Sequence, residues 1–256
     1  MARIPVFRVM GRNIATSAST ITHMTALTTH PRPRPSRMNG MTLSPPHPRV
    51  EVAAPRPAGP EPALVVVLLH GGVQRSRAPA AAHRLTYLRM RWFSRLLTGR
   101  TEHGELAVWR LRYRYRGWNA PGLDAVADAR WAVAQARRRH PAASVALVGH
   151  SMGARAALRA ADSPAVVGVC ALAPWLPSGE PIPPSPGLVL LAHGDRDRVT
   201  PLHETVAYAE RAAAAGVDAR MVTVDGDGHA MLRRPRTWNR LVNGFVDELA
   251  MAGRNG

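Results

Sequence analysis

The chain has 256 residues, of which 46% are apolar and 20% charged, so it is neither a disordered chain nor a disulfide-stapled miniprotein. Its single cysteine, Cys170, excludes an intrachain disulfide, and its longest apolar run, residues 63–69, is far shorter than the roughly 20 residues that a membrane helix needs. The formal net charge is +17, and all 34 basic residues are arginines. Because they are mixed with acids along most of the chain, a GC-rich coding bias is favoured over binding to nucleic acid or to a membrane surface.

Residues 1–62 differ in composition from the rest of the chain. They are rich in proline and arginine, and proline at the density seen in residues 31–35 and 44–48 blocks helix formation and sheet pairing. We therefore predict a disordered N-terminal segment at 1–62, in which residues 50–54 could add one edge strand. We predict a folded domain at 63–256, and this domain carries the motifs that indicate catalysis.

From residue 63 onward, apolar runs alternate with stretches of helical periodicity. The predicted strands are 64–69, 106–115, 145–149, 165–172, 188–192 and 219–224, and the predicted helices are 80–97, 124–139, 152–161, 203–215 and 235–250. The alternation predicts an α/β fold, with a mainly parallel central sheet and helices on both faces. Reactive residues in such sheets lie on loops at the carboxyl ends of strands, so each candidate residue should follow a predicted strand.

The strongest motif is Gly149-His150-Ser151-Met152-Gly153, which lies between a valine-rich strand and an alanine-rich helix. A serine on a very tight strand-to-helix turn leaves no room for side chains at the flanking glycine positions. Such a turn exposes the serine Oγ, and the helix that follows directs backbone N–H groups at a developing anion. The context predicts that Ser151 is a nucleophile.

A serine nucleophile needs a general base, and the base needs a carboxylate that orients it. Of the eleven histidines, His229 is the best candidate because it lies between the last predicted strand and the last predicted helix. His150 adjoins Ser151 and is expected to point elsewhere on the turn. The loop after the preceding strand offers two acids, Asp195 and Asp197, and their spacing does not decide between them.

Glycines also follow the first strong strand, in His70-Gly71-Gly72-Val73. Glycine lets backbone N–H groups approach a substrate oxygen closely, so this segment is a candidate oxyanion hole. The backbone N–H of Met152 would be the second donor.

These motifs, in this order, resemble the α/β-hydrolase superfamily over residues 63–250. The resemblance implies that the last position of the His-Gly-x-x-Asp segment, Asp197, is the acid of the triad. It also implies that Gly72 is the oxyanion donor, with Val73 as the alternative where loop lengths differ.

Within that superfamily the chain is similar to small bacterial capless esterases of the dienelactone-hydrolase-like kind. Many relatives insert a helical cap where this chain has only residues 173–186, which are too few for a cap domain. Dienelactone hydrolases use a cysteine nucleophile, whereas this chain has Ser151 at that position and its Cys170 lies inside a predicted strand.

Together these features predict a cytoplasmic serine hydrolase that cleaves small ester-type substrates through Ser151, His229 and Asp197. Trp118 and Trp175 follow predicted strands and are expected to line the substrate pocket. We expect no metal, organic cofactor, nucleic acid or membrane span, and the sequence leaves the oligomeric state open. The alternatives are a thioesterase, peptidase or acyltransferase with the same triad, and a non-catalytic, arginine-rich binding protein of the same fold.

Overall fold

Six parallel strands form the centre of an eight-stranded sheet, and one antiparallel strand closes each edge in the order β1-β8-β7-β6-β5-β3-β4-β2. The computed structural model describes residues 7–8, 46–53, 61–98, 106–184 and 187–253. The strands are β1 Phe7–Arg8, β2 Arg49–Ala53, β3 Leu64–Leu69, β4 Leu106–Arg112, β5 Ser144–His150, β6 Val166–Leu172, β7 Leu188–Gly194 and β8 Ala219–Val224.

Helices cover both faces of the sheet. They are α1 Leu85–Thr98, α2 Asp124–Arg139, α3 Met152–Arg159, α4 Leu202–Ala214 and α5 Pro235–Ala252. Helices α2, α3 and α4 pack on one face and α1 and α5 on the other, so the sheet separates two hydrophobic cores. All six residues of β3 are buried, as expected for a strand covered on both faces. The predicted fold class is confirmed.

Two predicted boundaries differ from the structure by three residues or more: the start of α1, and the end of β4, which was expected at 115 and lies at Arg112. Helix α1 was expected from residue 80 but begins at Leu85, because Pro79 bridges to Tyr115 and the Ala80 N–H donates to the carbonyl of Arg114. These contacts hold the preceding chain in an extended form.

The segment predicted to be disordered, residues 1–62, contributes two edge strands. Strand β2 pairs with β4, close to the edge strand expected at 50–54, and β1 pairs with β8. The sheet therefore begins before residue 63. The rest of the prediction for this segment falls mostly outside the described residues.

Four parallel strands end at the same edge of the sheet, and each is followed by a candidate residue. Strand β3 ends at Leu69, β5 at His150, β7 at Gly194 and β8 at Val224. Their loops carry the glycine segment, the serine, the two aspartates and the histidine. Among the described residues, no helix is both long enough and apolar enough to cross a bilayer.

Candidate active site

Ser151 lies on a sharp turn between β5 and α3. Its backbone has φ 56° and ψ −119°, a conformation that residues other than glycine rarely adopt. A Cβ at Gly149 would lie 2.4 Å from the carbonyl oxygen of Gly153, and one at Gly153 would lie 2.3 Å from that of Leu69. Both flanking positions therefore require glycine, as the motif predicted.

Ser151, His229 and Asp197 form a hydrogen-bonded chain. The Oγ of Ser151 lies 3.0 Å from Nε2 of His229, and Nδ1 of His229 lies 2.8 Å from Oδ2 of Asp197. A carboxylate oxygen accepts, so Nδ1 carries the proton and Nε2 is free to accept the serine proton. The three residues come from the loops after β5, β8 and β7.

Asp197 is fixed by more contacts than the one to His229. Its Oδ1 accepts the backbone N–H groups of Val199 and Thr200, and the Thr200 hydroxyl donates to Oδ2. The Nε2 of His193 lies 3.1 Å from the same Oδ2. Burial alone would raise the pKa of Asp197, but its hydrogen bonds to His193, His229 and the backbone outweigh it and hold the pKa well below its usual range.

Asp195, the competing acid, has a different partner. Its Oδ1 accepts the backbone N–H of Gly226 at 2.6 Å, which ties the loop after β7 to the loop after β8. The structure thus brings Asp197 and not Asp195 against the imidazole of His229, as the resemblance implied.

His150 contacts the candidate base directly. Its Nε2 lies 2.9 Å from the backbone carbonyl oxygen of His229, and the two ring centroids are 4.8 Å apart. Burial, followed by the nearby charge of His229, lowers the pKa of His150 to about 3, so the ring is neutral and donates through Nε2. As expected, the His150 ring points away from Ser151 Oγ. Its contact with the His229 loop was not predicted from the sequence.

Asp227 anchors the loop that carries His229. Its carboxylate accepts hydrogen bonds from the indole N–H of Trp238 and from the backbone N–H groups of Gly228 and Arg234. These bonds lower the pKa of Asp227 despite its burial. The Asp-Gly-His spacing is the one sequence feature that indicates this role for Asp227. Trp238 lies eleven residues further along the chain, and no local pattern predicts its contact with Asp227.

The glycine segment after β3 lies against the serine turn. A Cβ at Gly72 would lie 2.6 Å from Sδ of Met152, and one at Gly71 would lie 3.3 Å from Cβ of Ser151. The N–H of Val73 donates to the carbonyl oxygen of Arg116 at 3.0 Å and is therefore already engaged. The sequence left Gly72 and Val73 open as oxyanion donors. Among the loop and turn hydrogen bonds of the described residues, the backbone N–H of Gly72 has no acceptor, so it is the better candidate.

A cavity of about 370 Å³ opens between this glycine segment and the start of α1. Gly71, Gly72, His70 and Leu85 are among its lining residues, and the three residues of the hydrogen-bonded chain are not, so the cavity lies beside the nucleophile on the side of the glycine segment. The volume suits a small molecule, since ligand pockets are usually roughly 300–1,000 Å³.

Comparisons with known proteins agree with this fold. Residues 66–187 match the model described as "Alpha/beta hydrolase family". The fold is similar to an alpha-beta serine hydrolase homologue from Coxiella burnetii (TM-score 0.58, 18% identity, covering 76% of this chain and 89% of that one). It is also similar to XC6422 from Xanthomonas campestris, described as a serine hydrolase without lid (TM-score 0.58, 21% identity, 79% and 89% covered). The chain has the α/β-hydrolase fold.

A further similar structure is the thermophilic esterase Est2 from Thermogutta terrifontis, solved with butyrate bound (TM-score 0.56, 17% identity, 79% of this chain and 88% of that one covered). No curated protein matches this sequence significantly. The similarity to the solved structures is therefore a similarity of fold.

The connection from β6 to β7 is too short for a cap domain, and its described part is held on α3. Glu180 is 2% exposed and accepts hydrogen bonds from the guanidinium groups of Arg155 and Arg159. Its backbone carbonyl accepts a further bond from Arg211.

Trp118 and Trp175, which were expected to line the substrate pocket, both lie next to Arg155 of α3. Trp118 is 2% exposed and packs in the core, with its ring 6.0 Å from that of Trp175. The guanidinium of Arg155 lies 4.1 Å from the Trp118 ring centroid and 4.6 Å from that of Trp175. Neither tryptophan lines the cavity beside Gly72. Trp175 approaches the nucleophile through its backbone N–H, which donates to the carbonyl of Ser151.

Proposed function

We propose that this protein is a serine hydrolase that cleaves small carboxylic esters through an acyl-enzyme. The observation that carries the proposal is the hydrogen-bonded chain from Ser151 Oγ through His229 to Asp197, at 3.0 and 2.8 Å. Each residue follows a parallel strand at one edge of the sheet, which is where such folds carry reactive groups.

In the proposed reaction, Ser151 Oγ attacks the ester carbonyl while Nε2 of His229 takes the hydroxyl proton. His229 then donates this proton to the departing alcohol, and Asp197 stabilises the imidazolium that forms between the two steps. Water, deprotonated by the same imidazole, hydrolyses the acyl-enzyme and regenerates the serine.

We assign the oxyanion hole to the backbone N–H groups of Gly72 and Met152. Support comes from the close approach of these two residues and from the engagement of Val73 with Arg116. Backbone donors fixed before the reaction stabilise the tetrahedral intermediate without reorganising, and removing one such donor typically costs about 10²–10³ in kcat.

The proposed substrate is small because the cavity beside Gly72 measures about 370 Å³ and, among the described residues, no cap domain covers this edge of the sheet. Leu85, at the start of α1, supplies an apolar wall. Esterases are also among the similar structures, and one of them was solved with butyrate bound.

A fluorophosphonate probe and 4-nitrophenyl butyrate test the proposal together. We expect the wild-type protein to be labelled and to hydrolyse the ester, and Ser151→Ala and His229→Ala each to lose about 10⁴–10⁶ in kcat. Ser178→Ala, which changes an exposed serine, is the matched control. If Ser151→Ala kept more than about a tenth of wild-type turnover, the assignment of the nucleophile would be wrong.

A further inference from the structure

Large apolar side chains are exposed together on the face formed by α1 and the start of α5. Leu85 is 78% exposed, Leu232 72%, Trp92 58% and Leu88 36%. They line a groove of about 390 Å³ between the two helices. The indole N–H of Trp92 donates to Oδ1 of Asn239, which holds the indole at the groove. A groove so rich in exposed apolar surface marks an interaction site.

The same two segments carry strong positive charge. Residues 84–98 and 230–246 contain no aspartate or glutamate. They contain eight arginines, and none of these forms an ion pair within the described ranges: Arg84, Arg89, Arg91, Arg95, Arg233, Arg234, Arg236 and Arg240. Elsewhere on the surface, Arg130 and Arg220 pair with carboxylates, whereas the exposed arginines of α2, residues 137–139, form no ion pair with the described residues. Seven of the eight are exposed, whereas Arg89 is partly buried and interacts with Asp227. This face therefore carries an excess of positive charge around an apolar centre.

Helix geometry places the two kinds of residue side by side. Positions 85, 88 and 92 of α1 share one stripe because residues three and four apart lie on one side of a helix. Arg91 and Arg95 are exposed and flank that stripe. We call the four apolar residues together with the eight arginines the arginine-rimmed groove.

We propose that the arginine-rimmed groove docks on an anionic lipid surface. Exposed tryptophan and leucine side chains enter the boundary between headgroups and acyl chains, while the surrounding guanidinium groups bind lipid phosphates. A nucleic acid would match the charge but not the leucines. The basic N-terminal segment of this chain does not fit either, because residues 1–50 contain seven arginines and no acid and would be repelled by the rim.

Docking in this orientation has a consequence for the active site. Leu232 lies three residues after His229, and Ala230 and Met231, which also line the groove, directly follow the candidate base. The groove and the candidate active site are thus neighbours on one surface. A docked molecule holds its nucleophile next to the lipid–water boundary, where esters with apolar groups accumulate.

Sedimentation of the full chain with vesicles tests the proposal. We expect binding to vesicles of equal parts phosphatidylcholine and phosphatidylglycerol, none to phosphatidylcholine alone, and release by high salt. The double variant Arg236→Gln/Arg240→Gln should weaken binding about tenfold or more, since each arginine near an anionic surface contributes roughly a fivefold factor. Trp92→Ser should weaken it by about tenfold.

Matched controls come from other surfaces. Met251→Ser removes an apolar side chain that is 54% exposed at the far end of α5, and Arg137→Gln/Arg139→Gln removes two exposed charges from α2 on the opposite face of the sheet. Both should bind vesicles like the wild type, and circular dichroism establishes that every variant is folded. Absence of binding to the anionic vesicles would overturn the proposal. Equal binding by the groove variants and the controls would also overturn it, because another basic segment would then be responsible.

Discussion

The imidazole of His150 donates a hydrogen bond from Nε2 to the backbone carbonyl oxygen of His229, at 2.9 Å. The residue next to the nucleophile therefore holds the loop of the candidate base, across 79 positions of sequence. This bond joins the serine turn to the loop of His229, so the distance between Ser151 Oγ and His229 Nε2 depends on it.

We expect His150→Ala to lower kcat by about tenfold to a hundredfold, because the His229 carbonyl loses its donor and the imidazole shifts from Ser151. His150→Gln retains a donor and should recover part of the loss. Steady-state kinetics on 4-nitrophenyl butyrate measures both variants. Equal activity of His150→Ala and the wild type would show that the His229 loop is positioned by Asp227 alone.

Asp197 and Asp195 should differ sharply when each is changed to asparagine. Asp197→Asn should lower kcat by about 10⁴, because an amide in place of the carboxylate favours the wrong tautomer of His229. Asp195→Asn is the matched control and keeps an oxygen that can accept the Gly226 N–H, so its kcat should stay within a few-fold of the wild type. The reverse ranking would assign the acid to Asp195.

Stability should fall on mild acidification. Burial lowers the pKa of His70 to about 4, although its hydrogen bond to the Gly71 carbonyl opposes this. An unfolded chain binds that proton near pH 6.5, so it gains protons first as the pH falls, and the folded state loses about 3 kcal/mol from His70 alone by about pH 4.

Urea denaturation near neutral pH and near pH 4 measures this change. His70→Gln should show a smaller difference between the two conditions than the wild type. His203→Gln, which changes an exposed histidine, should keep the wild-type difference. A wild-type free energy of unfolding that rose on acidification would contradict the burial of a neutral His70.

Ester hydrolysis should be fastest for short acyl groups. The cavity beside Gly72 and the absence of a cap domain predict a maximum at roughly two to six acyl carbons. A series of 4-nitrophenyl esters of graded chain length measures this directly. Fastest turnover on esters of about twelve carbons or more would refute a shallow site.

Residues 1–40 are expected to be dispensable for catalysis. A chain starting at Met41 keeps β2 and loses β1, which pairs with β8 at Met221 and Arg220, several residues before the loop of His229. We expect kcat/KM to be retained and the free energy of unfolding to fall by about 1 kcal/mol, the value of one or two backbone hydrogen bonds. A large drop in kcat/KM would show that this segment contributes to the site.

Local patterns were sufficient for most of the fold and for the reacting residues. Helix α2 and strand β8 have the predicted boundaries because a continuous period of apolar residues marks each of them. The candidates Ser151 and His229 were found because strand ends and small motifs are local features, whereas Asp197 was preferred to Asp195 only through the resemblance to the α/β-hydrolase superfamily. The role of Trp118 could not be predicted, since it depends on the guanidinium of Arg155, which comes from a different element. The same holds for His193, whose ring reaches Asp197 only after the loop following β7 has folded.

The ion pairs and hydrogen bonds of Glu180 restrict where insertions can be tolerated in this fold. Two guanidinium groups of α3 hold its carboxylate, and a third arginine binds its carbonyl, at the position where capped relatives insert extra helices. An insertion there would have to preserve the ion pair between the buried carboxylate of Glu180 and Arg155. Otherwise both charges would lose their partner, which destabilises the fold. New substrate preferences are therefore expected to evolve through residues 74–78 and the start of α1, which are largely exposed, and not through the clamped ion pair or the tightly packed glycines.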